Sequence, residues 1–202
     1  MRGDQADAAA INKIFAAMEK EGSELLKKEG IPAEQMSFPR EFSLRSTPEG
    51  IRLFAQPARE IGALYSKQHR ISDIALQSGV NPLGGIAGEL FDIEAKLDVA
   101  RTASATLDVR GTPISYDARE GRLSCMGKSV ALKPAGLLDL RILVDRTSIE
   151  IFADGGRCVM SFCFRPDPGN RKLILSAEGG AAVAKSVQVR ILKPALPVAA
   201  AR

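Results

Sequence analysis

Two periodicities divide the hydrophobic and polar positions of the chain, and the change falls near residue 36. Before it, large apolar residues recur at the three- and four-residue spacing of one helix face: Ile11, Ile14, Phe15, Met18, Leu25 and Leu26. Gly30 followed by Pro32 is a helix stop signal. We therefore predict an N-terminal helical extension over residues 1–35, with one amphipathic α-helix at residues 5–29 whose apolar stripe needs a partner surface.

From residue 36 onward, apolar positions alternate with polar ones, as they do in strands with one buried and one wet face. The segment 91–99 shows the pattern most fully, and the segment 183–191 repeats it with Lys185 as the one exception. About ten such segments are separated by turn signals, with no helical segment between them. We predict an all-β fold, an antiparallel β-sandwich of the jelly-roll or concanavalin-like type over residues 36–193, followed by a disordered tail at 194–202.

The composition fits a folded domain and argues against nucleic acid as a partner. Of the 202 residues, 45% are hydrophobic and 26% are charged, which is far from the composition of disordered chains. The net charge is +4, but the basic residues are spread along the chain and nearly balanced by acidic ones. The chain has no Trp and two Tyr, so the basic face with stacking aromatics that nucleic-acid binding needs is not predicted.

Membrane segments, disulfides and metal sites are not predicted either. No segment approaches the roughly 18 apolar residues of a membrane span, and Asp4 and Asp7 stand where a signal peptide carries basic residues. As written, the sequence predicts a cytoplasmic protein, or an extracellular one if it is a fragment of a secreted enzyme. The cysteines are odd in number, and Cys158 and Cys163 point to opposite faces of one predicted strand. With His69 as the single histidine, we expect no metal and no cofactor.

Three carboxylates lie close enough in the chain to be tested as a glycosidase acid pair: Asp145, Glu150 and Asp154. In a strand, turn, strand arrangement, Asp145 leads a tight turn, where its side chain can accept a hydrogen bond from a nearby backbone N–H group. Glu150 faces away from its apolar neighbours, and we expect it to be solvated or paired with Arg141 across the hairpin. Asp154 opens the next Gly-rich turn. All three are predicted to be structural, and no catalytic residue is assigned.

The same segment, LRILVDRTSIEIFADGG at residues 140–156, resembles a hairpin motif in the C-terminal domain of glycoside hydrolase family 32, which includes levanases, inulinases and invertases. SFPREFSLR at 37–45 resembles the segment that opens this domain, and IRLFAQPAREI at 51–61 resembles its second strand and following turn. The resemblance covers roughly residues 36–193. Within it, six motif residues are expected to have structural roles: Arg40, Glu41, Asp145, Arg146, Ser148 and Glu150.

The resemblance implies a sandwich domain without catalytic machinery. In that family the acid chemistry resides in a five-bladed propeller, whose motifs W-M-N-D-P-N-G, R-D-P and E-C do not occur in this chain. The region between Val99 and Tyr116 also looks shorter than it is in the family. This shortening predicts a missing hairpin and an exposed edge strand.

Sequence and resemblance together predict a noncatalytic accessory β-sandwich rather than an enzyme by itself. Its role would be stabilisation, oligomer contacts or weak contact with fructan or another carbohydrate. Three alternatives stay open: a carbohydrate-binding module, a component of a fructosidase-type hydrolase that acts with a separate catalytic propeller, and a hydrolase that uses Asp145 or Glu150. A homodimer is a further expectation, in which residues 11–26 dock on a neighbour's sandwich and cover their apolar stripe.

Overall fold

The computed structural model describes residues 37–77, 79–134 and 136–195. The helix predicted at residues 5–29, the homodimer contact assigned to residues 11–26 and the tail from residue 196 onward lie outside the described residues. Among the described residues, no helix is long and apolar enough to cross a membrane.

Strands make up almost all of the regular structure in this part of the chain. Their bounds are β1 Arg40–Thr47, β2 Gly50–Pro57, β3 Tyr65–Leu76, β4 Phe91–Arg101, β5 Ser104–Val109, β6 Thr112–Asp117, β7 Arg122–Cys125, β8 Lys128–Ala131, β9 Leu138–Val144, β10 Ser148–Ala153, β11 Cys158–Cys163, β12 Leu173–Glu178 and β13 Ala181–Leu192. Two short 3₁₀ turns, Arg59–Leu64 and Asp154–Gly156, follow β2 and β10. The predicted all-β fold class is confirmed.

Two antiparallel sheets face each other across one core. The six-stranded sheet has the order β11-β10-β9-β4-β13-β3, and the five-stranded sheet has the order β12-β5-β6-β7-β8. Ile93 and Ile142 of the first sheet and Leu107 and Leu123 of the second belong to the same buried hydrophobic cluster. The predicted antiparallel β-sandwich is therefore confirmed, and its alternating apolar positions face the other sheet because successive strand side chains point to opposite faces.

The exception at Lys185 in the alternating pattern marks a β-bulge in β13. Relative to β4, the register of β13 shifts between Ala184 and Ser186. Ala184 is buried before the shift and Val187 after it, whereas Lys185 stays exposed and pairs with Asp73. An extra residue in one strand reverses which positions face inward. The alternation predicted over residues 183–191 would put Val183 on the core face, but the bulge puts Ala184 there instead.

The region between Val99 and Tyr116 does contain a hairpin, so the expected loss of a hairpin and the expected exposed edge strand are wrong. Strands β5 and β6 pair antiparallel along their whole length, and β5 also pairs with β12 on its other side. The turn between them is Arg110-Gly111, with φ values of +55° and +86°. A two-residue turn in which both residues have positive φ matches the right-handed twist of the flanking strands. It connects them with very few residues. A complete hairpin therefore fits into this short region.

Strands β1 and β2 form a separate two-stranded sheet, here called the ribbon, which no strand ladder joins to either sheet of the sandwich. Its base is fixed against the Asp154–Gly156 turn. The Gln56 side-chain amide donates a hydrogen bond to the carbonyl of Gly155. Gly156 has φ +89°, and a Cβ built on it would lie 1.9 Å from the carbonyl oxygen of Ala55. The close approach of the two backbones requires glycine at this position.

Gly156→Ala should therefore be strongly destabilising. We expect a loss of about 2 to 4 kcal/mol in the free energy of unfolding, because the methyl group adds a backbone clash to an unfavourable φ. The matched control is Gly127→Ala, whose φ is +73° but whose Cβ would meet nothing within 4 Å. It should cost about 1 kcal/mol from the φ alone. Urea unfolding of both variants measures the difference, and equal losses would contradict the close contact with Ala55.

The three free cysteines differ in burial. Cys125 on β7 lies in the core with 2% exposure, and burial raises the pKa of its thiol to about 11. Cys158 packs against the core, and burial raises the pKa of its thiol as well. Cys163, at the other end of β11, is exposed. Because the thiolate is the reactive form, Cys125 is protected both by its surroundings and by its pKa.

A thiol reagent such as DTNB at about pH 8 should distinguish these positions. We expect Cys163 to react promptly and Cys125 to react only as fast as the domain opens, because the thiol is both covered and protonated. The Cys163→Ser variant should lose the prompt phase. Prompt labelling of Cys125, located by peptide mapping, would be incompatible with its place in the core.

Candidate functional site

Glu150 on β10 is a buried carboxylate that receives hydrogen bonds from the segment entering the ribbon. Its side chain is on the outer face of the six-stranded sheet, and the residue is only 1% exposed. Oε1 accepts a hydrogen bond from the backbone N–H of Phe38 at 2.7 Å. Oε2 accepts from Nε and Nη2 of Arg40 at 3.1 and 2.5 Å. The Arg40 guanidinium also donates to Ser161 Oγ at 2.7 Å and lies 5.4 Å from the ring centre of Phe152.

The expectation that Glu150 is solvated or paired with Arg141 was wrong. Alternation correctly placed Glu150 on the outer face, but residues 37–40 cover that face at this point and remove the side chain from water. Its partner Arg40 lies 110 residues away in the sequence. Local spacing cannot indicate a partner at that distance, so only the fold identifies it.

Arg141 pairs instead with Asp92 on the neighbouring strand β4. Asp92 has 0% exposure, and its two carboxylate oxygens accept from Nε and Nη2 of Arg141 at 3.0 and 2.8 Å. The hydroxyl of Tyr65 donates to the same carboxylate at 2.6 Å. Burial, together with this hydrogen bond to Asp92, raises the pKa of Tyr65 above its usual value. Arg190 reaches both Asp92 and Glu94, with N to O distances of 3.8 and 2.8 Å.

Sequence reasoning missed this network, although a signal for it exists. Asp92 and Glu94 occupy the polar positions of β4, and Arg141 and Arg190 occupy those of β9 and β13. The register places Glu94 opposite Arg141, and Asp92 opposite Arg190. Opposite charges at facing positions stabilise strand pairs. The strand order, which sequence alone did not provide, was needed to see that these charges meet.

The remaining predicted motif residues lie in two separate places. Asp145 and Ser148 bracket the turn between β9 and β10, where the N–H of Asp145 donates to the Ser148 carbonyl at 2.9 Å. The N–H of Arg146 donates to Asp145 Oδ1 at 2.7 Å, and Arg146 lies 3.8 Å from the carboxylate of Glu89. Glu41 is exposed on the ribbon, opposite Gln56. The fold thus unites Arg40 with Glu150 and leaves Glu41 and the turn residues apart from that pair.

A groove lies on the outer face of the six-stranded sheet beside the base of the ribbon. It encloses about 250 Å³ and is lined by five polar side chains, the ring of Phe152 and the backbone of Gly155 and Gly156. The polar side chains are Gln56, Glu94, Lys96, Asp139 and Arg141. Strand register places Phe152 beside Arg141, Arg141 beside Glu94, and Lys96 beside Asp139. Within the described residues, no three His, Cys, Asp or Glu side chains are grouped in a way that could hold a metal ion.

The ribbon carries an apolar face in water. Four large side chains share this face, with exposures of 65, 72, 67 and 56%: Phe42, Leu44, Ile51 and Leu53. The register places Leu44 directly opposite Leu53 and Ile51 opposite Ser46, so no charged residue interrupts the face between them. On the opposite face, Arg45 stacks on Phe54 of the neighbouring ribbon strand at 4.4 Å, and Phe54 is 9% exposed.

Comparison with known proteins identifies the sandwich. The family model described as "Glycosyl hydrolases family 32 C terminal" matches residues 60–191. The levanase of Bacillus sp. (strain L7) is 33% identical over 184 residues, which cover 79% of this chain and 20% of that levanase. The levanase of Bacillus subtilis (strain 168) is 29% identical over 182 residues, which cover 78% of this chain and 27% of that levanase. The chain therefore spans about a quarter or less of the length of these relatives.

Solved structures with the same fold include an exo-inulinase and a fructofuranosidase. The exo-inulinase from Aspergillus awamori has a TM-score of 0.67 at 18% identity, covering 78% of this chain and 36% of that chain. The fructofuranosidase from Schwanniomyces occidentalis complexed with fructose has a TM-score of 0.63 at 13% identity, covering 78% of this chain and 40% of that chain. These likenesses establish the fold, and the family resemblance inferred from sequence is confirmed.

Glu150→Gln tests how the ribbon is held on the sandwich. We expect the free energy of unfolding to fall by about 3 kcal/mol, because the substitution leaves the largely buried guanidinium of Arg40 without its counter-charge. The matched control is Glu60→Gln, which breaks the exposed pair with Arg59, where both side chains are largely in water. That variant should unfold like the parent protein, since exposed pairs contribute little. Denaturant unfolding measures both variants, and equal stability of all three proteins would contradict the role given to Glu150.

Proposed function

Because the chain belongs to glycosyl hydrolases family 32 through the C-terminal domain of that family, we propose that it is a noncatalytic accessory module that packs against a separate catalytic β-propeller. The observation that carries this proposal is the exposed apolar face of the ribbon, held in place by Arg40 and Glu150. Its role is to stabilise the propeller and to set the position of the sandwich beside it.

The size of the apolar face supports a docking role. Four large side chains that are more than half exposed present apolar surface on the order of 400 to 500 Å². Patches of this size on a soluble protein often have a function in binding. Since the face carries no charge, its partner is expected to be apolar as well.

The shape of the ribbon favours a β-sheet as the partner. A two-stranded sheet is marginally stable alone in water, and both long edges of the ribbon lack strand partners in the described chain. Propeller blades are small antiparallel sheets of about four strands, so a blade can accept two further strands or pack against them. The ribbon also precedes residues 60–191, which match the C-terminal domain, and the levanase relatives extend over much more chain.

The contacts of Asp92, Glu150 and Asp145 support a noncatalytic role. A retaining glycosidase needs two carboxylates that face each other across a substrate pocket, one of them available as an acid. Asp92 is held by Arg141 and Tyr65, and Glu150 by Arg40 and the N–H of Phe38. Asp145 caps its own turn. These carboxylates are engaged in holding strands together, which leaves them poorly placed to attack a sugar.

The docking face can be tested with a levanase catalytic propeller expressed by itself. In sedimentation velocity we expect the chain to associate with the propeller, and the Leu44→Ser, Leu53→Ser double variant to weaken that association at least tenfold, because it removes the centre of the apolar face. The matched control is Val80→Ser, Ile174→Ser, which removes two apolar side chains exposed elsewhere, at 57 and 42%. It should associate like the parent chain.

Two outcomes would overturn the proposal. Equal association of the ribbon variant and the control variant would show that the apolar face is not the docking surface. Release of fructose from levan, inulin or sucrose by the chain alone, lost in the Glu150→Gln variant, would show that the module is itself a hydrolase.

A further inference from the structure

The groove beside the base of the ribbon contains charged groups that the fold brings together but does not use. Lys96 and Asp139 are direct neighbours across β4 and β9. Side chains at such positions have Cβ atoms only about 5 Å apart and can pair. In the described part of the chain, however, no ion pair joins them, and no hydrogen bond engages either side chain. One donor group and one acceptor group thus face the same space without a partner.

The other groove charges are held rigidly and keep part of their hydrogen-bonding capacity. Arg141 donates hydrogen bonds to Asp92 from Nε and Nη2, so the two N–H bonds of Nη1 remain available to a ligand. Glu94 accepts from Arg190 through Oε1, which leaves Oε2. Because Asp92 is fully buried, Arg141 is fixed in position before any ligand arrives. Groups that are already fixed lose little entropy on binding.

The equal numbers of positive and negative side chains in the groove favour a neutral ligand. Glu94 and Asp139 provide two negative charges, and Lys96 and Arg141 provide two positive charges. An anion or a cation would meet like charge on one side, whereas a neutral molecule with several hydroxyl groups can both donate and accept. Phe152, which is only 2% exposed, and the side-chain-free backbone of Gly155 and Gly156 complete the lining. At about 250 Å³ the groove is smaller than sites for drug-sized ligands and suits one sugar ring.

We propose that this groove binds one ring of a neutral sugar, with neighbouring hydroxyl groups donating to Asp139 and Glu94 and accepting from Lys96 and Arg141. This site deepens the accessory role proposed above, since it gives the module a direct carbohydrate contact next to the docking ribbon. Given the fructan-acting relatives, the ring expected there is a fructofuranose.

The test is a titration of the full chain, labelled with ¹⁵N, followed by amide chemical shifts. D-fructose and a short levan oligosaccharide should cause saturable shifts confined to residues 94–96, 139–141 and 155–156, with half-saturation in the millimolar range. The Lys96→Ala, Asp139→Asn double variant should raise the half-saturating concentration at least tenfold. The charge-matched control is Lys67→Ala, Glu120→Gln, which removes two exposed charges outside the groove and should titrate like the parent chain. A parallel titration with D-glucose distinguishes recognition of a furanose ring from general sugar binding.

Each result decides the proposal. The spectra themselves report whether the variants are folded. Absence of saturable shifts at about 100 mM sugar, or equal titration of the groove variant and the control, would overturn the site. Stronger binding of D-glucose would keep the site and exclude fructofuranose as its preferred ring. Because this titration involves neither a propeller nor hydrolysis, its failure leaves the docking proposal intact, and failure of docking leaves the groove intact.

Discussion

Glu150 places a negative charge where the fold excludes water, and the outer surface of the sandwich is organised around the need to compensate it. An unpaired buried carboxylate costs several kcal/mol, whereas a well-paired one is close to neutral. Both compensating groups, the Arg40 guanidinium and the Phe38 N–H, come from residues 38–40, where the chain enters β1. If residues 38–40 lay elsewhere, that charge would be left unpaired. The pair therefore favours this position of the ribbon, whatever its net contribution to stability.

The buried carboxylate of Asp92 must also be compensated, and its partners come from more strands than those of Glu150. Tyr65, Asp92, Arg141 and Arg190 belong to four different strands of the six-stranded sheet, β3, β4, β9 and β13. Their mutual hydrogen bonds and ion pairs satisfy one fully buried carboxylate and at the same time immobilise the arginines. A polar sheet face that would otherwise carry mobile side chains becomes a fixed pattern of charge. The groove that contains Lys96 and Asp139 lies at the edge of this fixed pattern.

The two proposed surfaces meet at strand β2. Gln56 lines the groove, while Leu53, three residues earlier, belongs to the apolar face of the ribbon. Successive side chains of a strand point to opposite faces, so one strand can serve a docking face and a polar groove at once. Gly156 makes this arrangement possible, because only a residue without Cβ lets β2 approach the turn after β10 so closely. An accessory module built in this way would hold a sugar contact at a fixed distance from the propeller it supports.

The sequence by itself determined what depends on near neighbours in the chain. Period-two alternation placed the strands, and the turn residues at 145–148 and 154–156 marked where they reverse, because these rules act within a few residues. It did not determine the partner of Glu150, the bulge at Lys185 or the meeting of Lys96 with Asp139, since each depends on which strands become neighbours. Nor could alternation distinguish the ribbon from the sandwich strands, because Leu44 and Leu53 have the same spacing as core residues. Only the tertiary structure decided that the apolar faces of the two sandwich sheets pack against each other, whereas the apolar face of the ribbon is exposed to solvent.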